Sequence, residues 1–188
     1  GGTVNVPVAV DATGSLSGKQ VTAISAGEGD FSCAIANNKA YCWGNNVDIW
    51  GGSQLGDGAG TSNRTSPYPV AAAWTTVSPT ATVISSASGD DHSCAVMAGR
   101  AFCWGNNFPS GVLGTGIGPG WGPSGNNESD VPVAVDTTGA LNNKTVTDVS
   151  TAGGHSCAVA SGAAYCWGDN ANGDLGNKSI IGSFSPVA

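Results

Sequence analysis

One stretch of the chain decides the fold, and it reads His155-Ser-Cys-Ala-Val-Ala-Ser-Gly-Ala-Ala-Tyr-Cys-Trp-Gly-Asp-Asn170. Closely similar sequences stand at residues 31–46 and 92–107. The first Cys of each copy lies at position 33, 94 or 157, so the chain repeats with a period of about 62 residues. A fixed internal period is typical of proteins built from stacked supersecondary units. We place the repeats at residues 6–68, 69–131 and 132–188 of a single repeat domain.

Each copy predicts a β-hairpin closed by a disulfide. Short apolar runs flank a two-residue loop at Asn37-Asn38, Ala98-Gly99 or Ser161-Gly162, and Asn and Gly tolerate the positive φ that such loops need. Pairing outward from the loop places two Cys opposite each other at a separation that a disulfide spans. The predicted bonds are Cys33–Cys42, Cys94–Cys103 and Cys157–Cys166. They imply an oxidising compartment; the alternative is six buried free thiols.

The remaining composition predicts an all-β protein. Apolar, β-branched runs at residues 21–24, 81–84 and 146–149 predict one more strand before each hairpin. The 30 Gly, and few helix-forming residues, argue against a helical protein. The tryptophans that follow the second Cys of each hairpin are the largest predicted core residues: Trp43, Trp104 and Trp167.

The charge and the motifs exclude several function classes. A net charge of −7 argues against nucleic-acid binding, which needs a basic face. No apolar stretch is long enough to span a membrane. No Cys-x-x-Cys zinc spacing, phosphate loop or catalytic triad is present, so we expect no catalytic residue, no metal and no cofactor. A secreted hydrolase is an alternative hypothesis. Glycoside hydrolysis needs a pair of carboxylates, and no motif in the sequence identifies such a pair.

These motifs resemble the RCC1-like (regulator of chromosome condensation) repeat, on the pattern Gly-x-x-His-Ser-Cys-Ala-Val, Tyr-Cys-Trp-Gly-x-Asn, Gly-x-Leu-Gly and Pro-Val in all three repeats. The Cys-bearing hairpin is similar to the secreted branch of that family. The resemblance implies that each repeat is roughly one four-stranded antiparallel blade of a β-propeller, usually of seven blades. A β-sandwich or a solenoid is the alternative.

The chain departs from that family in the number of its repeats. Three repeats are too few to close a ring, which typically takes about four to eight blades. We therefore expect an incomplete or open propeller, in which residues 186–188 begin a fourth blade. The acidic pI, near 4.3, argues against the chromatin-binding role, and no residue is identified for nucleotide exchange.

An open array leaves unpaired sheet edges at its ends, and such edges pair with other chains. We predict an extracellular structural protein that self-associates through these edges as a homo-oligomer or polymer, such as a filament or fibre subunit. The alternative is a ligand- or glycan-binding propeller module, adhesin-like, cut from a longer chain. Aromatic residues outside the repeat motif are the interface candidates: Trp50, Trp74, Trp121, Tyr68 and Phe108.

Other polar residues receive surface or structural roles. The Asn-x-Ser/Thr sequons predict covalent glycans at Asn63, Asn127, Asn143 and Asn177. His92 and His155 hold the position that Phe31 holds in the first repeat, so we interpret them as structural rather than as metal ligands. The acidic residues before the hairpins are interpreted as solvated turn residues rather than as a calcium site: Glu28, Asp30, Asp90 and Asp91.

Overall fold

The computed structural model describes residues 6–47, 53–71, 80–87, 92–107, 109–118 and 128–188. Within these ranges the chain is all-β, with three antiparallel four-stranded sheets and no helix. The first sheet contains β1 (Val21–Gly27), β2 (Phe31–Ala36), β3 (Lys39–Gly44) and β4 (Arg64–Pro69). The middle sheet contains β5 (Ala81–Ser86), β6 (His92–Met97), β7 (Arg100–Asn106) and β8 (Glu128–Ala134). The third contains β9 (Val146–Thr151), β10 (His155–Ala160), β11 (Ala163–Gly168) and β12 (Ser183–Val187).

The central hairpin of each sheet has the predicted register. Cys33 pairs with Cys42 across β2 and β3, and the other two pairs lie opposite each other in the same way. All three disulfides are formed, with Cα–Cα distances of 4.1, 4.1 and 4.0 Å. Both residues of each hairpin loop have positive φ, even Ala98 and Ser161. These loops therefore have the type I′ geometry that suits the twist of paired strands.

The sheets stack face to face in chain order. We call the face with the disulfide the front and the face with the tryptophan the back. The front of the first sheet packs on the back of the middle sheet, in a core that joins Ile35 to Ile84 and Trp104. The front of the middle sheet packs on the back of the third, where Val96 and Trp167 share a second core. The middle sheet is therefore covered on both faces.

The outer strand of each sheet contains a buried proline, and its position corrects one expectation. Pro67, Pro132 and Pro186 are equivalent, because the residue after each lies opposite the second Cys of the hairpin. The Pro-Val pairs at Pro132 and Pro186 thus lie in the last strand of a sheet instead of opening the next one. The last residues of the chain complete the third sheet as β12, so the expectation that they begin a fourth blade is wrong.

Residues 6–10 are the counterpart of an outer strand, but they pair with no described strand. Their sequence, Val-Pro-Val-Ala-Val, is that of residues 131–135 around the end of β8. The turns that follow are also alike, since Lys19 N–H donates to Leu16 O (3.0 Å) and Lys144 N–H donates to Leu141 O (3.1 Å). By this correspondence, residues 6–10 are the sequence counterpart of an outer strand, without a sheet of their own among the described residues.

Candidate interaction surfaces at the two ends of the blade array

The contacts between neighbouring sheets follow a rule that repeats along the chain. The glycine of each Leu-Gly motif has positive φ, and at the first two motifs the tryptophan of the following sheet lies directly against it. A Cβ at Gly56 would overlap the indole of Trp104, and a Cβ at Gly114 would lie 2.6 Å from Nε1 of Trp167. The Trp167 N–H also donates to the carbonyl of Val112 at 2.7 Å. We call the glycine position of a Leu-Gly loop, at Gly56, Gly114 or Gly176, a tryptophan seat; the first two contact the tryptophan of the next sheet.

Hydrogen bonds along the first strand of each sheet obey the same rule. Ser25 Oγ accepts from the backbone N–H of Ser86 in the middle sheet at 2.9 Å. Ser85 Oγ, one sheet further on, accepts from the backbone N–H of Thr151 at 3.0 Å. At both junctions, a serine on the front face therefore accepts a hydrogen bond from a backbone N–H of the next sheet.

The junction between the middle and third sheets also contains a buried histidine. His92 Nε2 lies 2.8 Å from Ser156 Oγ, and the Ser156 hydroxyl donates to the Val112 carbonyl at 3.1 Å. The Ser156 hydroxyl has only one proton, and it is used in the bond to Val112. In the bond between His92 and Ser156, the donor is therefore the Nε2–H of a neutral imidazole and the acceptor is Ser156 Oγ. Burial, and next the neighbouring His155, lower the pKa of His92 from 6.5 to about 3. We therefore interpret His92 as a structural residue, which agrees with the prediction from the phenylalanine, Phe31, at the same position of the first repeat.

The back of the first sheet has no sheet packed on it among the described residues. Ile24 is 66% exposed, whereas the equivalent Ile84 and Val149 are 7% and 5% exposed. Trp43 is half-buried, whereas Trp104 is fully buried. Other residues of this face are buried, namely Ala34, Ala36 and Tyr41, and Leu16 packs beside the last two. The open part of the back is therefore the area around Ile24.

The front of the third sheet is open in the same way. Val159 is 40% exposed, whereas the equivalent Ile35 and Val96 are 1% and 2% exposed. The third disulfide and His155 are half-buried, and the strand residue Ser150 is exposed. No described atom lies within 4 Å of the point where a Cβ would stand on Gly176, so this third seat holds no tryptophan.

The two ends of the array therefore differ from its middle in their faces, not in their strand edges. Each of the three described sheets has the same four strands and hence the same two edges. The three sheets join through their apolar faces, and surfaces of this kind are left open at the two ends. Among the described residues, the two ends are therefore distinguished by uncovered faces and not by additional unpaired edges.

The interface candidates named from the sequence lie mostly outside the described residues: Trp50, Trp74, Trp121 and Phe108. Tyr68 is described and lies on the outer strand β4, where it is 44% exposed. The guanidinium of Arg64 stacks on its ring at 4.1 Å and also pairs with Asp57 at 2.6 Å. Tyr68 is thus packed within its own sheet and lies apart from the core-forming residues of both open faces.

The glycosylation candidates occupy different environments. Asn143 is exposed in a turn. Asn63 is exposed, and its Oδ1 accepts from the Asn46 N–H at 2.8 Å. Asn177 is half-buried and its Oδ1 accepts from the Ser179 N–H at 3.1 Å. Asn127 lies outside the described residues. Glycosylation of all four stays a prediction.

Acidic residues and metal ligands form no recognisable centre in the described part of the chain. Glu28 and Asp30 are exposed, while Asp90 and Asp91 lie outside it. No group of three or more His, Cys, Asp or Glu side chains in the described ranges is placed to hold a metal ion. Those ranges also contain no helix long and apolar enough to cross a membrane.

Sequence reasoning missed the role of one asparagine in each repeat. The last residue of the motif Cys-Trp-Gly-x-Asn is buried in every repeat, at Asn46, Asn107 and Asn170. Each side-chain Oδ1 accepts the backbone N–H of the leucine in the Leu-Gly motif, at 2.9, 3.0 and 2.9 Å. These asparagines hold the tryptophan seats in place. Their recurrence at one repeat position was the available signal.

The stacked sheets are similar to solved propeller structures. Yeast RCC1 (Prp20), in its crystal structure bound to Kap60, is 22% identical over 89% of this chain and 36% of that chain, with a TM-score of 0.63. Prp20p from Saccharomyces cerevisiae, in a crystal structure described together with its binding to Gsp1p and histones, is 24% identical over 89% and 37%, with a TM-score of 0.62. No protein-family model matches the sequence.

These likenesses define the fold class. The protein is all-β and is built of RCC1-like propeller blades. It spans little more than a third of the length of the yeast chains that it resembles.

Proposed function

We propose that the chain is an extracellular structural protein that self-associates through the open faces of its first and third blades. One observation carries the proposal: apolar positions that are buried at the two internal junctions recur at both ends, where Ile24 and Val159 are exposed. Ile24 is 66% exposed in a position that is 7% exposed one blade later. Uncovered apolar faces of this kind mark protein contact surfaces.

The disulfides support an extracellular location. Three bonds in a chain of 188 residues are typical of secreted proteins, because the cytosol keeps thiols reduced. The Cys-bearing hairpin and the exposed sequon at Asn143 fit the same compartment, and with it the secreted branch of RCC1-like proteins.

Sedimentation velocity tests the proposal over a range of chain concentrations. The parent chain is expected to form species heavier than 18.4 kDa as its concentration rises. Ile24→Glu should weaken association at least tenfold, because burying an isoleucine stabilises a contact by about 1.5–3 kcal/mol. Ile117→Glu is the matched control, since Ile117 is 44% exposed but lies in a loop of the middle repeat. A parent chain that stays monomeric at every concentration contradicts the proposal.

A further inference from the structure

The two open faces are the two halves of one repeating junction. Inside the chain, each junction is made by a front face and the back face of the next sheet. The uncovered faces are a front, on the third sheet, and a back, on the first. The counterparts of Ile35, Ile84 and Trp104 are therefore present as Val159 at the end of one copy and as Ile24 and Trp43 at the start of another.

Resting on the proposed function, we infer that the partner is a second copy of this chain, docked head to tail, with Trp43 of one copy in the Gly176 seat of the other. Gly56 and Gly114 each hold the tryptophan of the next sheet, and the position on Gly176 is open among the described residues. Trp43 is the tryptophan whose own junction is uncovered, and it is half-buried. Seat and indole are complementary because they are copies of two pairs already joined.

Polar groups at the two ends extend the same correspondence. Ser150 is the counterpart of Ser25 and Ser85, and it would accept the backbone N–H of Ala26 in the neighbouring copy. His155 is the counterpart of His92, which hydrogen-bonds Ser156. In the docked pair, His155 would hydrogen-bond Ser32 of the neighbour. The contact thus satisfies polar groups while it buries the apolar ones.

Residues 6–10 are the segment that moves on docking. They are the sequence counterpart of an outer strand, and in the docked pair β12 of the neighbour takes the place of that strand. Because β12 is hydrogen-bonded to β11 while residues 6–10 pair with no described strand, displacing residues 6–10 breaks fewer bonds.

Head-to-tail docking uses different surfaces on the two copies, so it can continue from copy to copy. Two copies joined in this way contain six blades, which lies within the range of about four to eight blades that closed rings have. The same contact repeated without closure gives a filament.

A mixing experiment separates this arrangement from symmetric pairing. Ile24→Glu disables the back of the first sheet, and Val159→Glu disables the front of the third. With head-to-tail docking, each variant alone is monomeric, and an equimolar mixture forms pairs that grow no further. Both variants gain a negative charge, so no new attraction between them explains the pairing. If either variant alone still forms dimers, or the mixture stays monomeric while the parent associates, the inference is overturned although the proposed function stands.

The tryptophan seat has its own variant. Trp43→Ala is expected to weaken association of the parent chain at least tenfold, while the Ile117→Glu control keeps it. Far-ultraviolet circular dichroism and three intact disulfides check that each variant is folded. A folded Trp43→Ala chain that associates like the parent overturns the assignment of the seat.

Discussion

At the scale of single residues, His92 shows how stacking changes the chemistry of a repeat position. The same position holds Phe31 at the first junction and a half-buried His155 at the open end. Enclosure between two sheets leaves His92 with one hydrogen bond, to Ser156, and a buried Nδ1 with no hydrogen-bond partner. A proton on Nδ1 would place an unpaired cation in the core, which is why burial lowers the pKa.

This histidine should make the fold sensitive to mild acid. The unfolded chain binds a proton at this side chain near pH 6.5 and the folded chain only near pH 3, so between these values the unfolded state binds more protons. The free energy of unfolding therefore falls as the pH drops from 6.5, by up to about 1.4 kcal/mol per pH unit. Urea unfolding at pH 7 and pH 5 should show a smaller loss for His92→Phe than for the parent. Equal losses would contradict the buried neutral histidine.

At the scale of elements, the hairpins are the part of the structure that the sequence predicts best. Loop residues such as Asn37 and Gly99 determine the register locally, and the register brings the cysteines together. The Leu-Gly loops were not predictable in the same way. Their shape depends on buried asparagines such as Asn170 and on the tryptophan of another repeat, and neither contact follows from local spacing.

The three disulfides should differ in their reactivity although their hairpins are alike. Cys33–Cys42 and Cys94–Cys103 are buried at junctions, whereas Cys157–Cys166 is half-buried on the open front. In dilute solution, increasing reductant should open the third bond first, as measured by alkylation and mass spectrometry of the labelled peptides. In the associated state the third bond should be protected as well. Labelling of Cys94 as early as Cys157 would contradict the open front.

At the scale of the whole molecule, the sequence predicts the number of repeats. It does not predict which surfaces are uncovered at the two ends of the array of sheets. Counting the Cys hairpins predicts three units that do not close. The offset between repeat and sheet was hidden, because the strand containing Pro132 opens a repeat in sequence yet completes the preceding sheet in space. Because of that offset, the third sheet has all four of its strands. The uncovered surfaces at the ends are therefore sheet faces, such as the one around Ile24, and not the places of missing strands.

Electron cryomicroscopy of the associated chain tests the central claim most directly, because it images the junction between copies. We expect rows of four-stranded blades that continue without interruption from the third blade of one copy to the first blade of the next, with Trp43 against Gly176. Isolated three-blade particles, or copies joined back to back or front to front, would contradict it.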